Sequence, residues 1–341
     1  MTNLDQRHAS AAAPQVAYAM LPDLVGKLIT SEASQALSSA GRVYPHVISD
    51  WSLEDPRTLE SIEVLITGWG APIIDGRVLD ALPRLRGIAH AAGSVKTHLR
   101  SEVWDRGIVV TSAAEANAIP VAEFTLSMIL LAGKEAIWIS RAYRAGGEIH
   151  LLREYPHIGN SRRTVAIVGA SRIGRRVIEL LKPFDFTVLV VDPFLPNGSD
   201  LDGATSTPLE EALRRADIVS LHAPELPSTN GMIGARELAL MRDGATLINT
   251  ARASLVDHDA LGSELRRGRI YAILDTTAPE RLPPESVFLR SANALVTPHL
   301  AGAQGTELYR LGDEAVRQAV RMLRGESIPE AITAETLRWS A

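Results

Sequence analysis

The 341-residue chain contains no cysteine. This excludes a disulfide framework, a thiolate zinc site and a cysteine nucleophile, and it agrees with a reducing compartment. There is no basic excess either. The formal net charge is -5, which gives no electrostatic ground for a nucleic-acid partner. Long hydrophobic runs are also missing. The most apolar stretch, FTLSMILLAG (Phe124–Gly133), is bounded by Glu123, Lys134 and Glu135. It is too short to span a bilayer and is expected to be a buried helix. The N-terminal MTNLDQRHASAAAPQ is polar and alanine-rich, without an apolar core of signal-peptide length, and is expected to be a frayed tail. No repeat of solenoid period occurs, nor any low-complexity region beyond that tail. These absences predict a cytoplasmic protein with no membrane partner and no metal centre.

What is present is ordinary for a soluble globular chain: 46% hydrophobic and 22% charged residues, over a length that suits two domains. Apolar, β-rich runs recur with helical segments between them. The first set is QVAYAML (15–21), RVYPHVI (42–48), EVLITG (63–68), GIAHAAG (87–93) and GIVVTSA (107–113). These runs are largely apolar rather than alternating, as strands covered by helices on both faces are. One long helix is expected over Val121–Ala145, beginning after Pro120 and ending at Gly146–Gly147. A second set follows: TVAIVG (164–169), FTVLVVD (186–192), DIVSLHAP (217–224), ATLINTA (245–251), IYAILDT (270–276) and ALVTPH (294–299). Helical patterns such as SRIGRRVIELLK and DHDALGSELRRG separate them. Two doubly wound parallel α/β sheets are expected.

TVAIVGASRIGRRV (164–177) reads as a dinucleotide-binding turn with one residue changed. The first glycine of such a turn permits the tight bend, the second lets a pyrophosphate approach the backbone, and the third lets helix and strand pack closely. Gly169 and Gly174 keep the first and third roles. Ser171 stands at the second, where its hydroxyl can donate to a phosphate oxygen. Asp192 ends the next strand eighteen positions after Gly174, where an acidic residue binds ribose hydroxyls. No basic residue follows it in DPFLPNGS, which favours NAD over NADP. By itself the turn also allows a plain α/β connection with no ligand.

Three later stretches carry chemistry. NTARASLVD (249–257) puts Arg252 just after a strand. LDTTAPE (274–280) puts Asp275 at a strand end and Glu280 five residues on. TPHLAGA (297–303) puts His299 after the last strand. Ligands of such sheets bind outside the carboxyl ends of the strands, where all four residues fall. Taken singly, the arginine reads as a surface charge, a histidine as structural, and Asp275 as a helix cap. His90, His157 and His222 are read as structural.

In this order and spacing the stretches resemble the NAD-dependent D-isomer-specific 2-hydroxyacid dehydrogenase family. LHAPELPSTNGMIG (221–234) and EANAIPVAEFTLSMIL (115–130) are similar to further stretches of it. The likeness covers roughly residues 88–305; the first eighty residues share only the strand–helix rhythm. It implies a flavodoxin-like substrate domain, residues 1–112 with 306–341, and a Rossmann NAD-binding domain, residues 113–305, with the site in a cleft. It implies that Arg252 binds the substrate carboxylate and polarises the keto oxygen, a task that suits a planar guanidinium. His299 would be the acid/base, and Glu280 would favour its protonated form. Asp275 would help orient the nicotinamide end. Gly169, Ser171, Arg172, Ile173 and Gly174 would cradle the pyrophosphate, with Asp192 on the ribose. Ala223, Pro224, Thr229, Thr250 and Ala251 would line the nicotinamide side. The backbone of Ala92, Gly93 and Ser94, in HAAGSVK, would meet the substrate carboxylate.

The resemblance implies reversible reduction of a 2-keto acid to a D-2-hydroxy acid by a homodimer. Departures from the family pattern are Ser171, Ala253 after the arginine, Val95 and Lys96 in the substrate loop, and Thr276–Thr277 before the glutamate. Two other readings share the scaffold. One is oxidation of another small anion such as formate, against which Glu280 argues, since the family's formate enzymes carry glutamine there. The other is an NAD-sensing, corepressor-like regulator.

Overall fold

The apolar runs pair as two sheets, in two units of the chain: residues up to 116 with those from 305 onward, and residues 117–304. The computed structural model describes residues 15–146 and 148–339. Residues 1–14, Gly147, residues 340–341 and the side chains of Arg338 and Trp339 lie outside that description.

In the first unit the strands are β1 (Gln15–Ala19), β2 (Arg42–Ile48), β3 (Ile62–Thr67), β4 (Gly87–His90) and β5 (Val109–Ser112). They form one parallel sheet in the order β2-β1-β3-β4-β5, the flavodoxin-like order. β1, β3 and β4 are almost wholly buried, which is why they read as unbroken apolar runs. β2 is an edge strand and contains Pro45, tolerated there because an edge needs fewer N–H donors. Val16 pairs with Val43 but Tyr18 with Val47, so two extra residues of β2 bulge out around the proline. The helix Leu308–Leu323 covers this sheet. A Cβ at Gly312 would lie 1.8 Å from the carbonyl oxygen of Leu28, so only glycine allows that approach. The Arg86 guanidinium donates to the carbonyls of Met322 and Leu323, at 2.6 and 3.0 Å, and closes the helix end.

The second unit holds β6 (Arg163–Val168), β7 (Phe186–Val191), β8 (Asp200–Leu201), β9 (Ala204–Ser206), β10 (Ile218–Leu221), β11 (Thr246–Asn249), β12 (Tyr271–Leu274) and β13 (Ala294–Val296). Their order is β13-β12-β11-β10-β6-β7-β9-β8, parallel except for the short β8. Both sheets are therefore doubly wound, as the sequence predicts; the β8–β9 ribbon is an addition too short to show periodicity. The strand order reverses between β6 and β10, the point at which such sheets bind ligands.

The single helix expected over 121–145 is two helices. α1 runs from Ala114 to Gly133 with Pro120 inside it, and α2 from Ala136 to Arg144. Glu135 between them has φ 49°, in the left-handed region. The break is made by residues distant in sequence. Asn160 Nδ2 donates to the carbonyl of Leu130, and the Gly159 N–H donates to that of Gly133 at 2.7 Å. A Cβ on Gly133 would meet Asn160 Oδ1 at 2.0 Å. At 20 residues α1 is long and apolar enough to cross a membrane by length and composition, longer than the apolar stretch alone suggests. Its apolarity has a use within the unit: Ala122, Ile129 and Ala132 join one core with Val165, Ile167 and Ile248 of the sheet.

Candidate active site

The turn after β6 is built for close backbone approach. Gly169 has φ 102°, and a Cβ there would lie 2.6 Å from the Ala223 nitrogen. At Gly174 a Cβ would lie 2.0 Å from the Gly169 carbonyl oxygen. Both glycines are thus required by packing of the strand, the next loop and helix α3 (Arg172–Leu181). Ser171 is the N-cap of α3: its Oγ accepts from the Gly174 N–H at 3.3 Å. The serine is therefore a helix cap in the place of a turn glycine, and its hydroxyl proton remains to be given to a ligand oxygen. The first N–H groups of α3 lie at its positive end. Asp192 follows β7. Its Oδ2 accepts from Ala170 N–H at 2.8 Å and its Oδ1 from Phe194 N–H at 3.0 Å. Each oxygen keeps a lone pair for a ribose hydroxyl. These residues fit a dinucleotide: bare backbone at the turn, donors at the helix end, and an anchored carboxylate on the next strand.

Arg252, Asp275 and His299 follow the neighbouring strands β11, β12 and β13, all at the carboxyl edge. His299 Nδ1 lies 2.9 Å from Glu280 Oε1, with side chains 49% and 75% exposed. The ring is thus partnered and still open to a reactant. His299 has φ 53°, a conformation that costs a non-glycine residue roughly 1 kcal/mol and needs outside support. Asp275, 2% exposed, supplies it. Its Oδ1 accepts from Thr297 Oγ1 at 2.6 Å and from Leu300 N–H at 2.8 Å, and its Oδ2 from Ala301 N–H at 3.0 Å. The backbone N–H of His299 donates to the Asp275 carbonyl at 3.0 Å. Asp275 therefore holds the 297–301 loop, a role the sequence did not suggest.

Thr277 serves Glu280 in the same way. Its hydroxyl lies 2.9 Å from the Pro279 carbonyl oxygen and 3.1 Å from that of Glu280. Arg252 is half-buried. Its guanidinium donates to the Ala251 carbonyl at 2.8 Å, and no carboxylate among the described residues lies within ion-pair distance of it. The Asn249 amide fixes this turn, donating to the Arg252 carbonyl and accepting from Ala251 N–H.

The remaining predicted residues divide. Ala223 and Ala251 are buried at the strand ends. Thr229 Oγ1 donates to the Pro224 carbonyl and accepts from Leu226 N–H, shaping its own loop. Thr250 Oγ1 pairs with Thr125 Oγ1 at 2.9 Å, fastening α1 to the sheet edge. His222 is fully internal. Its Nε2 pairs with Ser220 Oγ at 2.9 Å, and burial pushes the ring down to about 3, so it is neutral and structural. Ala92, Gly93 and Ser94 lie in the other unit, in the loop after β4. Among the described residues no group accepts from their three N–H groups.

Such a cradle and strand edge define an NAD-binding oxidoreductase fold. Residues 126–301 match the family described as D-isomer specific 2-hydroxyacid dehydrogenase, NAD binding domain. A glyoxylate reductase of Korarchaeum cryptofilum is 30% identical over 272 residues, 78% of this chain and 81% of that enzyme. A D-3-phosphoglycerate dehydrogenase of Methanocaldococcus jannaschii is 27% identical over 79% of this chain; the chain spans about half, 51%, of that enzyme's length. Among solved structures, the D-lactate dehydrogenase of Aquifex aeolicus in complex with NAD and lactic acid is 25% identical. It superposes with a TM-score of 0.68 and covers 92% of this chain and 96% of its own. The chain belongs to the NAD-dependent D-isomer-specific 2-hydroxyacid dehydrogenases, and its cofactor is NAD.

Two outcomes follow from this geometry. Asp275→Asn keeps the shape but turns an NH₂ group toward an N–H donor, so unfolding free energy should fall by roughly 1–3 kcal/mol in urea titrations. Unchanged stability would contradict the role of the carboxylate. Ser171→Gly removes the hydroxyl donor while leaving a tolerated N-cap, so NADH should bind about 1 kcal/mol more weakly by fluorescence titration. Tighter binding would mean that the serine Cβ holds the pyrophosphate off.

Proposed function

We propose that the protein reversibly reduces a small 2-keto acid to the D-2-hydroxy acid. The observation that carries the reading is the exposed His299–Glu280 pair beside a loop whose arginine has no carboxylate partner. Arg252 binds the substrate carboxylate through its planar fork and polarises the keto oxygen. His299 gives that oxygen a proton during reduction and takes it back during oxidation. NADH, when bound, supplies the hydride. Glu280 orients the ring through Nδ1, leaving Nε2 for the substrate. The family resemblance assigns the N–H groups of Ala92, Gly93 and Ser94, which have no acceptor among the described residues, to the substrate carboxylate. Asp192 disfavours a 2′-phosphate, so NADH is preferred to NADPH. The reading includes a homodimer, which the family resemblance implies.

The test is NADH consumption with a panel of 2-keto acids, including glyoxylate and the keto form of 3-phosphoglycerate, in parent and Glu280→Gln. The parent should turn over at least one acid and prefer NADH. No turnover despite tight NADH binding would contradict the reading and favour a sensor. In Glu280→Gln keto-acid turnover should fall about tenfold or more while the NADH Kd stays within about twofold. Unchanged turnover would mean that Glu280 is not the histidine's partner.

A further inference from the structure

The loop after β4 is held by three buried side chains that the reaction does not use. β3 ends at Thr67 and β4 at His90, opposite each other in the sheet. The loop leaves the sheet at Ala91, dips into the core at Val95 and ends at the buried His98. Both histidine rings meet one hydroxyl: Thr67 Oγ1 lies 2.9 Å from His90 Nδ1 and 3.3 Å from His98 Nε2. The ring centroids are 4.6 Å apart. Thr67 is 0% exposed and both histidines 3%. Burial, with His98 nearby, pushes His90 down to about 3. Burial, with Arg100 nearby, pushes His98 down to about 4, so both rings are neutral in ordinary assays.

A threonine hydroxyl has one proton, so it donates to one ring and accepts from the other. His90 also bonds the Ser94 backbone in a way that favours the protonated ring, so the ring is the donor there. A neutral ring that donates to Ser94 must accept at Nδ1. The chain of bonds then has one sense: His98 Nε2–H to Thr67, Thr67 O–H to His90 Nδ1, and His90 to Ser94. Backbone bonds hold the same loop, from Ala91 N–H to the Thr67 carbonyl at 2.7 Å and from Ala113 N–H to the Ala92 carbonyl at 3.0 Å.

We propose that Thr67, His90 and His98 form a clamp that closes the loop 91–97 at both ends and presents the N–H groups of Ala92, Gly93 and Ser94 to the substrate carboxylate. They are positioning residues for substrate recognition. The proposal rests on the keto-acid reading for its substrate and on the first unit alone for its geometry.

The test uses Thr67→Val, which keeps the shape and removes the hydroxyl, and Thr67→Ser, which restores the hydroxyl. His98→Phe, which keeps a ring and removes its N–H, breaks the same chain independently should the valine variant not fold. Amide hydrogen exchange at 91–98 is read against exchange at 163–191, alongside KM for the keto acid and the NADH Kd. Thr67→Val and His98→Phe should speed exchange in the loop only. They should raise KM about tenfold, the effect of one or two lost hydrogen bonds, and leave the NADH Kd within about twofold. Thr67→Ser should behave as the parent. Unchanged loop exchange, faster exchange with unchanged KM, or a serine variant as impaired as the valine would each overturn the proposal. A parent that turns over no 2-keto acid defeats the keto-acid reading instead, and loop exchange alone then decides the clamp.

Discussion

A buried carboxylate with three donors on it gives the candidate site its shape. Asp275 sits at the end of β12 and takes a hydroxyl and two N–H groups from the loop after β13. That loop carries His299 in a left-handed backbone conformation that a histidine does not adopt without support. The carboxylate supplies the support and is satisfied by it, which is what allows a charged group to be buried. One turn away, Thr277 fixes the segment that delivers Glu280. The imidazole and its acidic partner are thus exposed, and the groups that aim them are not.

The second unit separates two tasks along one sheet edge. At the switch point, Gly169 and Gly174 exclude any side chain where backbone must approach backbone, and Asp192 anchors the next strand end. Four strands lie on the other side of that point, and the loops after three of them, β11, β12 and β13, carry Arg252, Glu280 and His299. The family match over 126–301 contains both tasks. The loop 91–97 and its histidine clamp lie outside that match. The cofactor is therefore set by the matched part of the chain, and the proposal places substrate recognition in a loop outside it.

Much of this was legible in the sequence because buried parallel strands leave an unambiguous trace. Runs such as Val64–Ile66 and Val165–Val168 are covered on both faces, so apolar residues fill them without alternation. The arginine and histidine were legible because each follows such a run closely, and the glutamate because of its spacing from the strand-end Asp275. What could not be read depends on partners far away in the chain. The break at Glu135 is set by Gly159 and Asn160. The support of His299 comes from Asp275, and the loop clamp joins residues 23 and 31 positions apart. Ser171 was legible as a departure from glycine but not as a helix cap, because the cap depends on where α3 begins. Propensity and spacing describe local chain; these features are tertiary hydrogen bonds.

The central claim is that His299 moves the proton while the cofactor is held by other residues. His299→Asn keeps a polar side chain that also tolerates the left-handed backbone, and it removes the acid/base. Its NADH Kd and its keto-acid turnover, measured on the same preparation, test the claim most directly. The account predicts NADH binding within about twofold of the parent, with turnover lower by roughly 10²–10⁴, the range of a lost general acid. Turnover near that of the parent, with NADH bound as tightly, would contradict it.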